Sequence, residues 1–302
     1  MGVSTLGFTL LMSFIGDLDI FSLIFIVAIF NVVQWLFAPY LVNMLYKVRR
    51  MNANEYPELQ RAVGELSQRS GIGTPTIMLS EIPIPNAFAY GSPLTGKRVA
   101  VTKGLLDSLD ADEVEAVIGH ELGHIKHRDV QIMMFVSFLP SLFYMLARTL
   151  MFSSYYGGRD RRDSSGLALV GGVSMLAYFV LLLFTLSLSR LREYYADQHS
   201  VLVVDDGARK LSEGLAKIST STWKTQRLTG HQAGLSGFKT LFIADPDRAA
   251  QDTLQLYQAK EAVNDGDLVR SVMNRGVGSF ESLAELFSTH PNIVKRLRAL
   301  NA

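Results

Sequence analysis

The stretch His120-Glu121-Leu122-Gly123-His124 decides how this chain is read. It fits the pattern H-E-x-x-H, and Asp110 with Glu113 three residues on marks the start of a helix that runs into it. Histidines four apart share one helix face, so both imidazoles reach the same ion, and Glu121 between them projects toward that ion's open side. Two imidazoles and one carboxylate suit a tetrahedral Zn²⁺, which keeps its fourth position for water and lowers the pKa of that water toward about 7. Glu121 is then the base that takes the water's proton. The pattern makes a hydrolase the leading reading.

Composition narrows the class. Of 302 residues, 48% are hydrophobic, and the mean hydropathy of +0.20 is high for a soluble protein, which points to a membrane. Lysine and arginine number 29 against 28 acidic residues, so no global field favours nucleic acid, which drops out as a partner. The absence of cysteine excludes disulfides and thiolate ligands, fits a site facing a reducing interior, and leaves only histidine and carboxylate to hold a metal.

Three apolar runs are long enough to cross a bilayer: Ile20 to Val42, Ile132 to Phe152 and Leu167 to Leu188. The last two form a transmembrane hairpin around a polar Tyr155 to Gly166 loop. The shorter run Leu6 to Ile15 reads as an interfacial or buried piece rather than a cleaved signal peptide. Lys47, Arg49 and Arg50 after the first span, Lys126 and Arg128 before the second, and Arg190 and Arg192 after the third fall on one side. The positive-inside bias makes that side cytoplasmic, although the opposite loop mixes Arg159, Arg161 and Arg162 with Asp160 and Asp163. The alternative, buried core helices of a soluble protein, is disfavoured by the length and apolarity of the runs.

The water-facing segments are mixed. Glu55 to Ser70 has helical periodicity and stops at Gly71. Thr76 to Leu79, Ala87 to Tyr90 and Val99 to Thr102, punctuated by Pro83, Pro85, Gly91 and Gly96, read as a small antiparallel sheet. The helix carrying His120 is expected to continue through Asp129 into the second span, setting the metal just below the membrane surface. Ser189 to Ser200 continues the third span as a polar helix. Thr220 to Gly237 reads as irregular, and Phe280 to Leu300 as helical with a break at His290-Pro291.

Glu193 is the best third ligand, because Asp197 lies four residues later on the same helical face and can orient His120 or His124 while Glu193 binds the metal. Without the upstream pattern, Arg190, Arg192, Glu193 and Asp197 would read as a solvated charged face. His127 is assigned to the surroundings of the metal or the helix surface, His199 and His231 to surface or loop, and Asn31 and Gln34 to contacts between membrane helices.

Taken together, HELGH, Ser189 to Asp197 (SRLREYYAD), Pro85 to Gly91 (PNAFAYG) and Ser288 to Leu300 (STHPNIVKRLRAL) resemble, in order and spacing, the HtpX-like membrane zinc endopeptidases, relatives of the CAAX prenyl protease. The resemblance implies one Zn²⁺ per chain on His120, His124 and Glu193, Glu121 as general base and Asp197 behind the ligands. It implies an edge strand at Asn86, Ala87, Phe88 and Ala89 that pairs with an extended substrate, His290 near the metal and able to hydrogen-bond the oxyanion, and Arg296 buttressing the site. The family often has a second proline where this chain has Asn292, and Thr220 to Asp245 matches nothing in it, which leaves substrate selection as a role for that stretch.

The expected fold is mainly α: multi-pass membrane helices joined to a zincin-like α+β protease domain with a small antiparallel sheet. Residues 1–46 form the N-terminal membrane part, 47–130 and 190–302 the cytoplasmic protease parts, and 131–189 the hairpin. The expected function is hydrolysis of polypeptide substrates, misfolded or unassembled membrane proteins, at the cytoplasmic face of the cell membrane, with the lipid bilayer as the other partner. A CAAX-type prenyl protease and a non-catalytic membrane scaffold with a structural zinc are the rivals.

Overall fold

The computed structural model describes residues 20–156, 161–229 and 264–302. In chain order its elements are α1 (Ile20–Leu45), β1 (Val48–Arg50), α2 (Pro57–Arg69), β2 (Thr76–Ser80), β3 (Ala87–Ser92), β4 (Gly96–Thr102), α3 (Lys103–Ser108), α4 (Ala111–Lys126), α5 (Asp129–Tyr156), α6 (Arg161–Val203), α7 (Gly207–Thr229), α8 (Asp265–Met273), α9 (Ser279–Glu285) and α10 (Ile293–Leu300). Helices α1, α5 and α6 are long and apolar enough to cross a membrane, over Phe25–Leu45, Asp129–Tyr155 and Gly166–Val203. With 43 residues, α6 is about 65 Å long, twice what the hydrocarbon core needs. Its apolar run ends at Leu188 and its polar continuation carries Glu193 and Asp197.

The chain divides into two compact units. The first, Met1–Phe37 with Val130–Leu188, is helical throughout its described part and exposes Phe25, Phe135, Leu169 and Phe179, as lipid-facing helices do. Asn31 is buried and donates to the Val27 carbonyl one turn back at 2.8 Å. The run Leu6 to Ile15 lies outside the described residues. Helix already covers Tyr155 and restarts at Arg161, so the expected polar loop shrinks to residues 157–160, also outside them.

The second unit, Ala38–Asp129 with Ser189–Ala302, is built on a four-stranded sheet in the order β1-β2-β4-β3. The sheet is mixed rather than antiparallel. β3 and β4 form a hairpin with Ala89 opposite Val99, which lays β4 between β3 and β2 and parallel to β2, with Met78 opposite Ala100. The three-residue β1 has no alternation to read, and it pairs antiparallel with β2. Alternate residues of β4 serve two cores: Val99 and Val101 join Leu66, Val117, Leu122, Leu215 and Leu297, while Ala100 joins Tyr46, Met78 and Phe88.

Helix α4 starts as its sequence requires, the Glu113 carboxylate accepting from the Asp110 N–H at 2.9 Å. It does not run on into the membrane helix. It ends at Lys126, His127 caps it, and Arg128 takes a left-handed φ of 55°, which breaks the expected continuous helix before α5 begins at Asp129. The stretch expected to be irregular from Thr220 is helical to Thr229, because α7 buries a face of Leu211, Leu215 and Ile218; residues 230–245 lie outside the described set.

Two glycines set the spacing that matters most. A Cβ on Gly123 would lie 3.0 Å from Ala196 Cα and 3.0 Å from His199 Cβ, and one on Gly119 would lie 2.9 Å from Val204 Cγ2. Helix α4 therefore meets the polar part of α6 almost backbone to backbone, and the Ser200 hydroxyl donates across the contact to the Ala116 carbonyl at 2.6 Å. Replacing Gly123 with Val is expected to force the helices apart, costing about 1–3 kcal/mol and lowering the thermal unfolding midpoint in detergent. An unchanged midpoint in that scan contradicts this packing.

Candidate metal centre

Helix α4 presents His120 and His124 one turn apart with their rings edge-on, centroids 4.8 Å apart, and the two Nε2 atoms 3.1 Å from one another. Because α6 lies so close, the Glu193 carboxylate reaches both, Oε2 standing 3.7 Å from His120 Nε2 and Oε1 3.6 Å from His124 Nε2. Ligands at 2.0–2.1 Å from a tetrahedral zinc are spaced by about 3.3 Å, so the two nitrogens and the carboxylate, one oxygen near each ring, are spaced as the protein ligands of such a site are. Glu193 is buried and its Oε2 has no hydrogen bond, the Arg296 guanidinium being 3.4 Å away. A cation at this point satisfies that oxygen, and the donor set fits it.

Both histidines are backed by carboxylates. His120 Nδ1 lies 2.8 Å from Asp197 Oδ1, and Arg296 grips Asp197 with Nε to Oδ2 at 2.9 Å and Nη2 to Oδ1 at 2.6 Å, all three residues being buried. Burial alone would pull the Arg296 guanidinium down; the Asp197 and Glu193 carboxylates hold it above its ordinary value. His124 Nδ1 lies 2.7 Å from Asp129 Oδ2. Asp129 in turn pairs with Arg192, which also donates to the His127 carbonyl at 2.7 Å. Sequence reasoning missed Asp129 and this use of Arg192. The available signal was a carboxylate five residues past the second histidine, beyond a helix end that the sequence did not reveal.

His290 Nδ1 stands 3.5 Å from Glu193 Oε1, and both its ring nitrogens are buried without a hydrogen bond. Its loop is held from two sides. Arg190 Nη1 donates to the carbonyls of Glu285 and Ser288, each at 2.8 Å, and Glu285 accepts from the Asn292 N–H at 3.2 Å and from Lys295 at 2.5 Å.

Glu121 Oε2 accepts from the Ala89 N–H at 2.7 Å. That N–H points away from β4, and β3 is an edge of the sheet among the described residues. The four residues expected to line the substrate differ in their placement. Asn86 uses its N–H on Thr102 Oγ1 (2.8 Å) and its carbonyl on the Thr102 N–H (2.9 Å), Ala87 faces the main core, and Phe88 is buried 5.1 Å from the Tyr46 ring. At Ala89 the backbone N–H is turned to the site through Glu121.

His199 is not a surface histidine. It is buried and shares a hydrogen bond of 2.9 Å with Ser70, the residue that caps the C-terminus of α2, since the polar end of α6 is covered by α2 and α4. His127 packs against it with ring centroids 5.8 Å apart and against Tyr195 at 6.2 Å, away from the ligand group. His231 lies outside the described residues. A second acidic group, Asp110, Glu113 and Asp265, is gathered around the Lys217 ammonium at 2.8–3.0 Å, which accounts for it without a metal.

Membrane helices joined to an α+β unit, with two histidines and a glutamate from a second helix converging beside a free strand edge, define a membrane metallopeptidase. The model of peptidase family M48 matches residues 53–302, and the chain belongs to that family. It is 36% identical to the protease HtpX homolog of Thermoplasma acidophilum over 277 residues, 90% of this chain and 82% of that protein. It is 39% identical to the Aeropyrum pernix homolog over 272 residues (89% and 82%), and 32% identical to the protease HtpX homolog 2 of Saccharolobus solfataricus over 323 (100% and 94%). Among solved structures, the crystal structure of S. mikatae Ste24p superposes with a TM-score of 0.56 at 16% identity; all of this chain is covered, and it spans 63% of that one. That likeness is one of fold.

Removing the carboxylate behind His124, as in Asp129→Ala, is expected to weaken metal binding about 10–100-fold in chelator competition while leaving the ligands intact. An unchanged affinity removes Asp129 from the site. Burial, aided by the nearby Arg192, holds the His127 imidazole below its ordinary 6.5. The unfolded chain therefore takes up that proton first as the pH falls, so this group costs stability as the pH drops through 6.5 and costs nothing above it. Urea midpoints measured at pH 7.5 and 5.5 are expected to fall less in His127→Gln than in the parent.

Proposed function

We propose that this membrane metalloprotease holds one Zn²⁺ on His120, His124 and Glu193 and hydrolyses peptide bonds of misfolded or unassembled membrane proteins at the cytoplasmic face of the cell membrane. The observation that carries the reading is the triangle of two imidazole nitrogens and a carboxylate at 3.1, 3.6 and 3.7 Å, with an intact glutamate between the histidines. Two histidines and a glutamate, with a fourth position left for water, are one of the donor sets catalytic zinc uses. When bound, the metal supplies a Lewis acid that polarises the scissile carbonyl and makes water acidic enough to give up a proton near pH 7.

The chain's own groups do the rest. Glu121 accepts the proton of the attacking water and returns it to the leaving amine. The Ala89 N–H keeps the Glu121 carboxylate turned toward the edge of β3, where an extended polypeptide can add as a further strand. His290 has unpaired ring nitrogens beside Glu193 and supplies a donor for the negative charge that grows on the carbonyl oxygen. Asp197 and Asp129 fix the two imidazoles, and Arg296 fixes Asp197. The cytoplasmic orientation rests on the basic residues at the span ends, Lys47 to Arg50, Lys126 to Arg128 and Arg190 to Arg192. Membrane proteins as substrates follow from an active centre whose third ligand rides on a membrane helix, α6.

Glu121→Gln is expected to keep its metal and its unfolding midpoint while losing about 10²–10⁴-fold in the rate of cleaving a model membrane protein in detergent. Metal content and cleavage are read on the same preparation. Wild-type rates in that variant refute the base, and full metal occupancy in Glu193→Ala removes the third ligand. Peptides with and without a prenyl group separate this reading from a prenyl-protein protease.

A further inference from the structure

The imidazole of His290 is not anchored through its own ring. Both ring nitrogens are buried without a hydrogen bond, and Glu193 Oε1 stands 3.5 Å from Nδ1. Its position is therefore set by the backbone that carries it. That backbone is tied to Ser288, whose hydroxyl donates to the His290 carbonyl at 3.0 Å and accepts from the His290 N–H at 3.2 Å. Ser288 is held in turn by Arg190, whose Nη1 donates to the Ser288 carbonyl at 2.8 Å and to the carbonyls of Glu285 and Leu286 at 2.8 and 3.3 Å. Glu285 and Leu286 are the last residue and the C-cap of α9, where a helix runs out of its own donors and a basic side chain can take their place.

Arg190 also shares a face of α6 with the third ligand. Positions 190, 193 and 197 are spaced by three and four residues, so they form one stripe along the helix. From that stripe Asp197 backs His120 at 2.8 Å, Glu193 reaches both imidazoles, and Arg190, one turn earlier, grips the His290 loop. Arg192 serves a different purpose, on Asp129 and the His127 carbonyl. We propose that Arg190 is a positioning residue for the hydrolytic reaction: it ties the loop carrying His290 to the helix carrying Glu193, so that the oxyanion donor and the metal ligand keep a fixed separation. The inference rests on the hydrolysis reading above. Arg190 acts only through the Ser288 backbone and His290, and its permanently charged guanidinium suits it to serve several carbonyls at once.

Arg190→Ala, His290→Ala and the double variant are compared with the parent as full-length, zinc-loaded protein in detergent. On an internally quenched peptide, Arg190→Ala is expected to lose on the order of 10²-fold in kcat with KM held to within about twofold, as for a reacting group misplaced by about 1 Å. His290→Ala is expected to lose about 10²–10³-fold, and the double variant no more than His290→Ala alone. Losses that multiply in the double variant, or a parent-like kcat in Arg190→Ala, overturn the proposal. A second measurement requires no turnover. Diethyl pyrocarbonate modifies free imidazoles, and peptide mass mapping gives the rate at each histidine. His290 is expected to react several-fold faster in Arg190→Ala than in the parent, while His199, buried against Ser70, stays equally protected in both. An unchanged rate at His290 overturns the positioning role, and so does an equal gain at His199, which makes Arg190 a general support of the fold. Arg190→Gln, with two donors and no charge, is read by the same criteria where the alanine variant does not fold. A parent without metal-dependent cleavage refutes the hydrolysis reading, whereas an active parent with an unaffected Arg190→Ala refutes the positioning role alone.

Discussion

The close approach of α4 to α6 is the constraint on which the site depends. Glycine at 119 and 123 lets the two backbones meet around Ala196 and Ser200, and a Cβ at either position would crowd the facing helix at 2.9–3.0 Å. Glu193 is one turn before Ala196 on the same face of α6. Its carboxylate arrives at the two imidazoles only because the helices touch there. The HExxH pattern thus carries packing as well as chemistry: its glycine makes the contact, and its histidines and glutamate use the result.

Charge supplies the second constraint. Four carboxylates are gathered around the centre, Glu121, Asp129, Glu193 and Asp197, all buried. Two guanidinium groups face them, Arg192 on Asp129 and Arg296 on Asp197 and Glu193. With neutral imidazoles the group is short of two positive charges, and a buried excess of that size is costly unless compensated. A divalent cation between His120, His124 and Glu193 closes the deficit. The binding of metal and the stability of this part of the fold are therefore coupled.

Much of this was legible in the sequence, for identifiable reasons. Helical periodicity alone puts His120 with His124 and Glu193 with Asp197, and the capping residues at Asp110 and Glu113 fix where α4 begins. Gly71 ends α2 with the left-handed φ of 68° that glycine adopts freely. What stayed hidden depends on long-range packing or on a residue acting against its preference. Arg128 takes a left-handed conformation that nothing in its side chain announces, and it separates α5 from α4 and gives Asp129 its role. The parallel pairing of β2 with β4 is decided by where the β3–β4 hairpin folds back, which alternation cannot tell. His199 is buried because α2 crosses it, a contact spanning 129 residues of chain.

The two carboxylates behind the histidines give the strongest internal argument for a metal. A carboxylate only accepts, so the hydrogen bond to Asp129 places the His124 ring proton on Nδ1, and Asp197 at 2.8 Å from His120 Nδ1 favours the same tautomer there. Both Nε2 atoms are then bare lone pairs, yet they face each other at 3.1 Å with the Glu193 oxygens close by. No proton arrangement among these groups serves all of them at once: a proton on one Nε2 satisfies a single neighbour and takes the Nδ1 proton from its carboxylate or charges a buried ring. A small cation is attracted by all three donors together. The carboxylates that orient the rings come from different elements, α6 and the start of α5, so the fold builds the same electronic arrangement twice by independent routes.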